Sequence, residues 1–440
     1  MILRLSQIIT FSTTYLQVRY LRYLSVKKPS AFARWQKRRL EKHVKRIVKH
    51  SSYYRNVLSE KTFNDYPIIN KQVMMEHFDD LNTAGISLNR ARVLALMSEQ
   101  ERDFSPKIGT VSVGLSSGTT GNQGVFLVSD HEVAQWAAAV TAKLIDFKQF
   151  RKEPITIAFF MRANNNLYES MNKGKININF FDLLKPVKEN LERLMILQPN
   201  IIVAQPSMLR IIADYFDGKT LPFELKEVYS IAEVLDPVDE MYISERLGLP
   251  IKQVYQATEG FLAASCSHGY LHLNEDVVYI EKEYLDAEKR RFVPIITDLY
   301  RISQPLIRYR LNDVLIESQE PCPCGSCYTR IDAIEGREDD CFVLKNQANE
   351  MITIFPDFIR YAIINADAAI TEYKVSQNSA TDIIVYLNIT DDDFITAQQT
   401  IHQNFADLFA SYGITEYLLQ FENAIPESKN KKLRRIERML

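Results

Sequence analysis

The chain has 440 residues, of which 46% are hydrophobic and 25% are charged, a composition typical of a globular protein with more than one core. Its formal net charge of −2 gives no electrostatic reason to expect a nucleic-acid partner. Residues 1–21 are apolar but are interrupted by Arg4, Gln7 and Arg19. We therefore expect neither a membrane span nor an export signal there, and we expect a cytoplasmic protein.

The first predicted element is a basic helix over residues 27–50, within a basic helical segment of about residues 1–60. Lys and Arg dominate it, Glu41 is its single acid, and Leu40, Val44 and Ile47 recur at helical spacing. Such a helix either touches an anionic membrane surface or packs its apolar stripe on the body of the protein. We favour packing, because it is the commoner arrangement.

From residue 105 to about 335, short apolar runs alternate with helical patterns. The predicted helices cover 186–198 and 207–216, and the predicted strands are 155–161, 178–181, 201–206, 227–235 and 251–260. This alternation predicts βαβ units and a largely parallel sheet, with ligands at the carboxyl ends of its strands.

The tail has a different pattern. Strands are predicted at "EYKVS" and "DIIVYLNI", followed by a helix over 391–412 that stops at Gly413. The sequence therefore predicts an α/β protein with a large domain over residues 1–336 and a small, mobile α+β domain over residues 337–440.

One glycine-rich stretch lies in the large domain, "VSVGLSSGTTGNQGVFLVSD" at residues 111–130. Apolar runs on both sides predict a hairpin, and Ser129 with Glu132 forms a capping box for the next helix. The stretch lacks the Lys-Ser/Thr pair of a Walker A loop. A phosphate-binding loop and a plain turn are both open at this point.

Three further motifs favour the phosphate loop. They are "YQATEG" at 255–260, "RYRLND" at 308–313 and "GREDD" at 336–340. With "SSGTTGN" and in this order, they resemble the signature motifs of the adenylate-forming enzymes, the superfamily of acyl-CoA synthetases and adenylation domains. The cysteine cluster "PCPCGSC" and "CSHGYLHLNED" resemble the phenylacetate–CoA ligase and coenzyme F390 synthetase branch in particular.

The resemblance implies a large multi-sheet adenylate-forming domain that binds ATP and Mg²⁺. Thr258 would hold the α-phosphate, Glu259 would bind Mg²⁺, and Asp339 would be the hinge of the small domain. Lys432 would be the terminal catalytic lysine, with Lys429 and Lys431 as rivals. The remaining nucleotide-binding residues would be Ser116, Ser117, Gly118, Thr119, Thr120, Gly121, Ala232, Glu233, Tyr255, Asp313 and Arg337.

The sequence departs from the family at two places. Many members have a lysine two or three residues after the last loop glycine, where this chain has Gln123 and Gly124. The usual Thr-Gly before the ribose-binding Asp is Leu311-Asn312. The first departure predicts that the pyrophosphate contact is weaker or comes from elsewhere in the chain.

The cysteines suggest a metal. Cys266 with His268, and Cys322 with Cys324, are i, i+2 pairs, and each pair would point to one face of an extended segment. Together they predict a structural Cys₃His zinc site, with Cys327 as a substitute ligand. Free thiols in a loop are the alternative.

The implied activity is adenylation of a carboxylic acid, with aromatic acids favoured, followed by transfer to coenzyme A. An amine acceptor or adenylyl transfer, as in F390 synthetase, would use the same first step. A degenerate member that binds nucleotide without catalysis is a third possibility, which the two departures favour and the intact Thr258, Glu259 and Asp313 oppose.

Overall fold

The computed structural model describes residues 5–58, 61–116, 123–147, 149–150, 153–161, 175–218, 221–367, 369–426 and 434–439. These residues form twelve α-helices. In chain order, α1–α12 are Leu5–Lys27, Pro29–His50, Ser52–Leu58, Lys71–Glu76, Phe78–Leu81, Leu88–Glu101, Asp130–Leu144, Val187–Leu197, Pro206–Tyr215, Pro237–Leu247, Pro356–Ile364 and Asp391–Ser411.

Twenty-one strands accompany the helices in the described residues. In chain order, β1–β10 are Lys107–Ile108, Val111–Leu115, Val125–Ser129, Ile155–Met161, Ile176–Asp182, Ile201–Ala204, Glu227–Ile231, Ile251–Ala257, Gly260–Ser265 and Leu271–Leu273. β11–β21 are Val278–Tyr284, Arg291–Asp298, Tyr309–Arg310, Asp313–Glu317, Arg330–Arg337, Phe342–Lys345, Met351–Ile354, Tyr373–Gln377, Asp382–Leu387, Leu418–Glu422 and Ile436–Arg438.

The central sheet is mixed. Strands β5, β4, β6, β7 and β8 are parallel neighbours, as predicted for a sheet built from βαβ units. From β8 onwards the order is β9, β10, β15, β14, β12 and β11, and all of these pairs are antiparallel. The prediction of a largely parallel sheet is therefore wrong for this half, because short turns instead of crossover helices connect most of its strands.

The predicted hairpin at residues 111–129 is present. β2 and β3 pair antiparallel, and Ser129 and Glu132 cap α7 reciprocally. Together with β1 they form a small separate sheet.

The C-terminal part has its own core. Buried residues between Phe342 and Ile436 form one hydrophobic cluster from α11, α12 and the sheet β20–β19–β18–β21. Buried ion pairs join it to the large part, where Asp239 accepts hydrogen bonds from Arg210 and Arg435 at 2.7 and 3.0 Å. The α/β class is confirmed, and a domain boundary at residue 337 stays a prediction.

Two long helices precede the sheet. α1 packs on α7, and α2 buries Leu40, Val44 and Ile47, the stripe that the sequence predicted. Within the described ranges, no helix is both long and apolar enough to cross a bilayer.

Candidate functional site

The turn between β8 and β9 brings two of the sequence motifs together. It consists of Thr258, which is exposed, and Glu259, which is partly buried. On β8 just before it, the Tyr255 hydroxyl donates a hydrogen bond of 2.5 Å to Oδ2 of Asp313, the first residue of β14. The central sheet is therefore curved, so that the motif at 255–260 faces the motif at 308–313.

Glu259 lies among aromatic and charged neighbours. Its Oε1 accepts a hydrogen bond of 3.2 Å from the Tyr309 hydroxyl, and Arg301 donates to the main-chain oxygens of Thr258 and Glu259. Burial raises the pKa of the Glu259 carboxyl, and the charge on Asp313 raises it further. A hard divalent cation is the ligand that two such neighbouring carboxylates favour.

Asp313 and Arg337 are directly opposed on β14 and β15, which places their Cβ atoms about 5 Å apart. Beside them, the Asn312 amide donates 2.7 Å to Oδ2 of Asp339, and the Asn312 main-chain oxygen accepts from the N–H of Glu338. The predicted ribose-binding carboxylate, the predicted nucleotide-binding arginine and the predicted hinge thus lie in one hairpin. These two bonds hold the turn despite the unusual Leu311-Asn312 pair.

The glycine-rich hairpin is described only at its base. The N–H of Gly124 donates to Oγ of Ser116, and the N–H of Ser116 donates to the oxygen of Gly124, both at 2.8 Å. The other residues predicted for this loop and for the terminal lysine lie outside the described residues: Ser117, Gly118, Thr119, Thr120, Gly121, Lys429, Lys431 and Lys432.

Lys71 is a residue that the sequence pattern did not single out. It is the first residue of α4, directly after the helix cap Asn70. Its Cε lies only 3.0 Å from the place that a Cβ on residue 124 would occupy. Glycine at position 124 therefore makes room for Lys71 at the base of the hairpin.

The charges around Lys71 place it in the same site. Burial lowers the pKa of its ammonium group, the carboxylate of Glu259 opposes that shift, and Arg337 adds to it. The sequence lacks a lysine after the loop glycines, and Lys71 brings an ammonium group to this loop from a helix more than forty residues earlier in the chain. No local signal marks it, because its position depends on the long-range bridge between Ile69 and Tyr309.

Ala232 and Glu233 follow β7 at the carboxyl edge of the parallel strands. Ala232 has φ of 66°, a left-handed conformation that costs a non-glycine residue about 1 kcal/mol. The Glu233 carboxylate accepts a hydrogen bond of 2.9 Å from the hydroxyl of Ser207, in the first turn of α9. Strained backbone at this edge fits a ligand-binding turn, and a place beside adenine stays a prediction.

Three cysteines and one histidine form a second cluster. The ligand atoms of Cys266, His272, Cys322 and Cys324 all lie within 4.8 Å of one another. The structure therefore brings His272 into the cluster where the sequence predicted His268. The prediction assumed an extended backbone after Cys266, but the N–H of Gly269 donates to the oxygen of Cys266 and closes a turn there.

The distances within the cluster fit zinc. Cys266 Sγ and Cys322 Sγ are 3.7 Å apart, and Cys324 Sγ is 3.5 Å from Nε2 of His272. Tetrahedral zinc with ordinary bond lengths separates two sulfurs by about 3.8 Å and a sulfur from a nitrogen by about 3.6 Å. Nδ1 of His272 lies 3.0 Å from the oxygen of Tyr328, an outer contact that leaves Nε2 available to a metal.

The Cys266 thiol has a lowered pKa. Burial alone would raise it, but hydrogen bonds from His272 and from the N–H of His268 outweigh burial. A lowered thiol pKa favours the thiolate that a metal binds.

The chain is similar to several known proteins. No known family profile matches the chain. Phenylacetate-coenzyme A ligase of Thermus thermophilus is 22% identical over 40% of this chain and 42% of its own length. Protein CapK of Staphylococcus aureus is 22% identical over 91% of this chain and 87% of its own length.

A solved structure extends the likeness to the fold. 2-Hydroxyisobutyryl-CoA ligase, in complex with its acyl-adenylate, superposes with a TM-score of 0.68 at 16% identity over 93% of this chain and 90% of that one. The relatives confirm the resemblance to the adenylate-forming superfamily, and the fold is that of an acyl-CoA ligase of this kind.

Proposed function

We propose that this chain, a member of the adenylate-forming superfamily, uses ATP to activate a carboxylic acid and passes the acyl group to coenzyme A. Aromatic acids are the first candidates, since one similar protein is named a phenylacetate-coenzyme A ligase. The observation that best supports the proposal is the meeting of Tyr255, Glu259 and Asp313 with Lys71 at the glycine-rich hairpin.

In the first step, a carboxylate oxygen of the acid attacks the α-phosphorus of ATP, and the bond to pyrophosphate breaks. Negative charge grows on the phosphate oxygens, and preorganised donors and cations stabilise it. Lys71 would offset charge on the departing pyrophosphate, and the exposed hydroxyl of Thr258 would contact the α-phosphate. Asp313 would accept hydrogen bonds from the ribose hydroxyls.

Glu259 would bind Mg²⁺, and Asp313 lies near enough to add its charge. Both carboxylates carry only acceptor oxygens when ionised, the donor type that Mg²⁺ prefers. The ion, when bound, neutralises phosphate charge and polarises the α-phosphate for attack.

In the second step, the thiol of coenzyme A attacks the acyl carbon, the bond to AMP breaks, and the proton leaves with solvent or a base. An amine acceptor would use the same acyl-adenylate and give an amide. The proposed small domain beyond residue 337 would turn about Asp339 between the two steps, so that one site serves both.

The cysteine cluster would hold a structural zinc ion through Cys266, His272, Cys322 and Cys324, since four protein ligands leave no open position for catalysis. None of the five cysteines is in a disulfide.

Pyrophosphate release from Mg·ATP, measured against a panel of aromatic and aliphatic acids with and without coenzyme A, tests the proposal. Release that depends on one class of acid, with a thioester formed when coenzyme A is added, is the expected result. Glu259→Gln should abolish release, while Glu192→Gln, on an exposed helix pair with Lys188, should leave it unchanged. Nucleotide binding without release for any acid would favour a non-catalytic binder.

A further inference from the structure

Helix α1 is apolar on two faces, and only one of them is packed. Val18, Leu21 and Leu24 are buried; Leu21 and Leu24 pack against Phe32 and Tyr328, and the helix also contacts α7. The opposite side is exposed and forms what we call the α1 stripe: Leu5, Ile8, Ile9, Leu16, Tyr20, Tyr23 and Val26. Leu16 is 66% exposed and Tyr20 is 59% exposed. Polar residues usually occupy the outer face of a surface helix, so this face indicates a partner.

The segment formed by α1 and α2 is also rich in cations. Residues 5–50 contain twelve Lys and Arg and one acid, Glu41, in a chain whose net charge is −2. Arg22 and Arg39 donate to main-chain oxygens of the body. The other ten are exposed: Arg19, Lys27, Lys28, Arg34, Lys37, Arg38, Lys42, Lys45, Arg46 and Lys49. None of the ten forms an ion pair with a residue in the described ranges.

The exposed apolar stripe and the exposed cations together favour one class of partner, an anionic lipid surface. The stripe runs along a helix of about 34 Å that also carries the exposed cations Arg19 and Lys27, and the next helix carries most of the others. Apolar side chains, interfacial tyrosines and cations in one segment match the boundary between lipid headgroups and acyl chains. A second copy of this chain, joined by two-fold symmetry through the same surface, would place like charges against each other. Nucleic acid would satisfy the cations but would leave the apolar side chains in water.

We propose that α1 and α2 form a docking surface by which the folded protein lies on an anionic membrane. The α1 stripe would enter the outer part of the bilayer, and the cations of α2 would contact lipid phosphates. The helix would lie along the surface of the bilayer without crossing it. The proposal does not depend on the catalytic function proposed above.

Sedimentation of the full chain with lipid vesicles tests this surface. We expect binding to vesicles that contain phosphatidylglycerol and at least tenfold weaker binding to pure phosphatidylcholine. Raising the salt from about 0.1 M to about 0.5 M should weaken the anionic binding about tenfold, because it screens exposed charges.

Two double variants separate the contributions. Leu16→Glu with Tyr20→Glu changes the α1 stripe, and Lys42→Glu with Lys45→Glu changes the basic face. Each should weaken binding to anionic vesicles about tenfold or more. The control, Ile395→Glu with Arg92→Glu, changes an apolar side chain that is 61% exposed and an exposed cation elsewhere, and should bind as the wild type does.

Circular dichroism and the unfolding midpoint would show that each variant is folded. Failure of the folded wild type to bind either kind of vesicle would overturn the proposal. Equal losses in the control would overturn it as well. A wild-type dimer that Leu16→Glu with Tyr20→Glu converts to a monomer, without any lipid binding, would assign the surface to a second copy of the chain.

Discussion

Replacing Lys71 by Met tests the position of this side chain most directly. Met keeps an unbranched apolar stem of similar length and removes only the ammonium group. Because Lys71 reaches the base of the glycine-rich hairpin, we expect its charge to act on the β- and γ-phosphates of ATP. AMP lacks those phosphates, so its binding should not depend on Lys71.

The size of the effect follows from the surroundings of Lys71. Two unit charges about 4 Å apart interact by about 4 kcal/mol at an effective dielectric constant of about 20. Lys71 loses part of this gain, because burial already disfavours its charged form, as the lowered pKa shows. A net loss of about 2 kcal/mol remains, which corresponds to about 30-fold weaker binding of Mg·ATP.

Titration calorimetry measures the affinities for Mg·ATP and for AMP, and it requires no knowledge of the acid substrate. Lys61→Met, at an exposed lysine in the same region of the chain, is the matched control and should bind both nucleotides as the wild type does. Equal weakening of AMP and ATP would show that Lys71 supports the fold of the site rather than the phosphates. Unchanged ATP binding would refute the placement altogether.

Three further predictions concern stability and metal content. The folded state holds His43 with a pKa near 3, chiefly through burial and then through Arg39 and Arg46, so the unfolded state takes up the proton first and stability falls as the pH drops below 6.5. The free energy of unfolding should be about 2 kcal/mol lower at pH 5. Denaturant unfolding should show this decrease in the wild type and in the control His402→Leu, which changes an exposed histidine. His43→Leu should not show it. Asp239→Ala removes the carboxylate that the buried Arg210 and Arg435 share; Arg210 keeps its ion pair with Glu372, whereas Arg435 stays buried without Asp239. The free energy of unfolding should fall by about 3 kcal/mol, against less than about 1 kcal/mol for Asp217→Ala at a surface pair. Elemental analysis should find one zinc ion per chain, and Cys322→Ser or chelation should lower the unfolding midpoint by about 5 °C or more. The control His268→Ala should keep the metal. A wild-type protein that contains no zinc would contradict the proposed site.

The parallel strands of the central sheet could be predicted from the sequence, but the antiparallel pairing of the other strands could not. The runs at 155–161 and 227–231 are buried on both faces and bounded by turn residues, so they are recognisable as strands of a βαβ sheet. After Gly260 the strands pair antiparallel. The connection from β9 to β10 has only five residues, too few for a parallel crossover. Its short length indicates antiparallel pairing, but a prediction made from the apolar pattern alone does not take connection lengths into account.

The residues of the two candidate sites were also predicted only in part. Tyr255, Glu259, Asp313 and Arg337 were predicted from motifs, and the structure brings these four together. Lys71 escaped prediction because local sequence does not encode a contact with residue 124. His272 escaped because alternation along an extended strand favoured His268, and a turn follows Cys266 instead.

The cysteine cluster and the proposed nucleotide site share two strands. β9 begins directly after Glu259 and ends directly before Cys266, and β15 follows the cysteine loop and ends on Arg337. A metal that fixes one end of each strand would therefore restrict the other end, about 20 Å away along β9, where the site residues lie. A rigid support of this kind keeps binding residues in register. Loss of the metal should accordingly weaken binding of AMP and Mg·ATP together, whereas loss of the Lys71 charge weakens Mg·ATP alone, and this difference separates support of the site from contact with the phosphates.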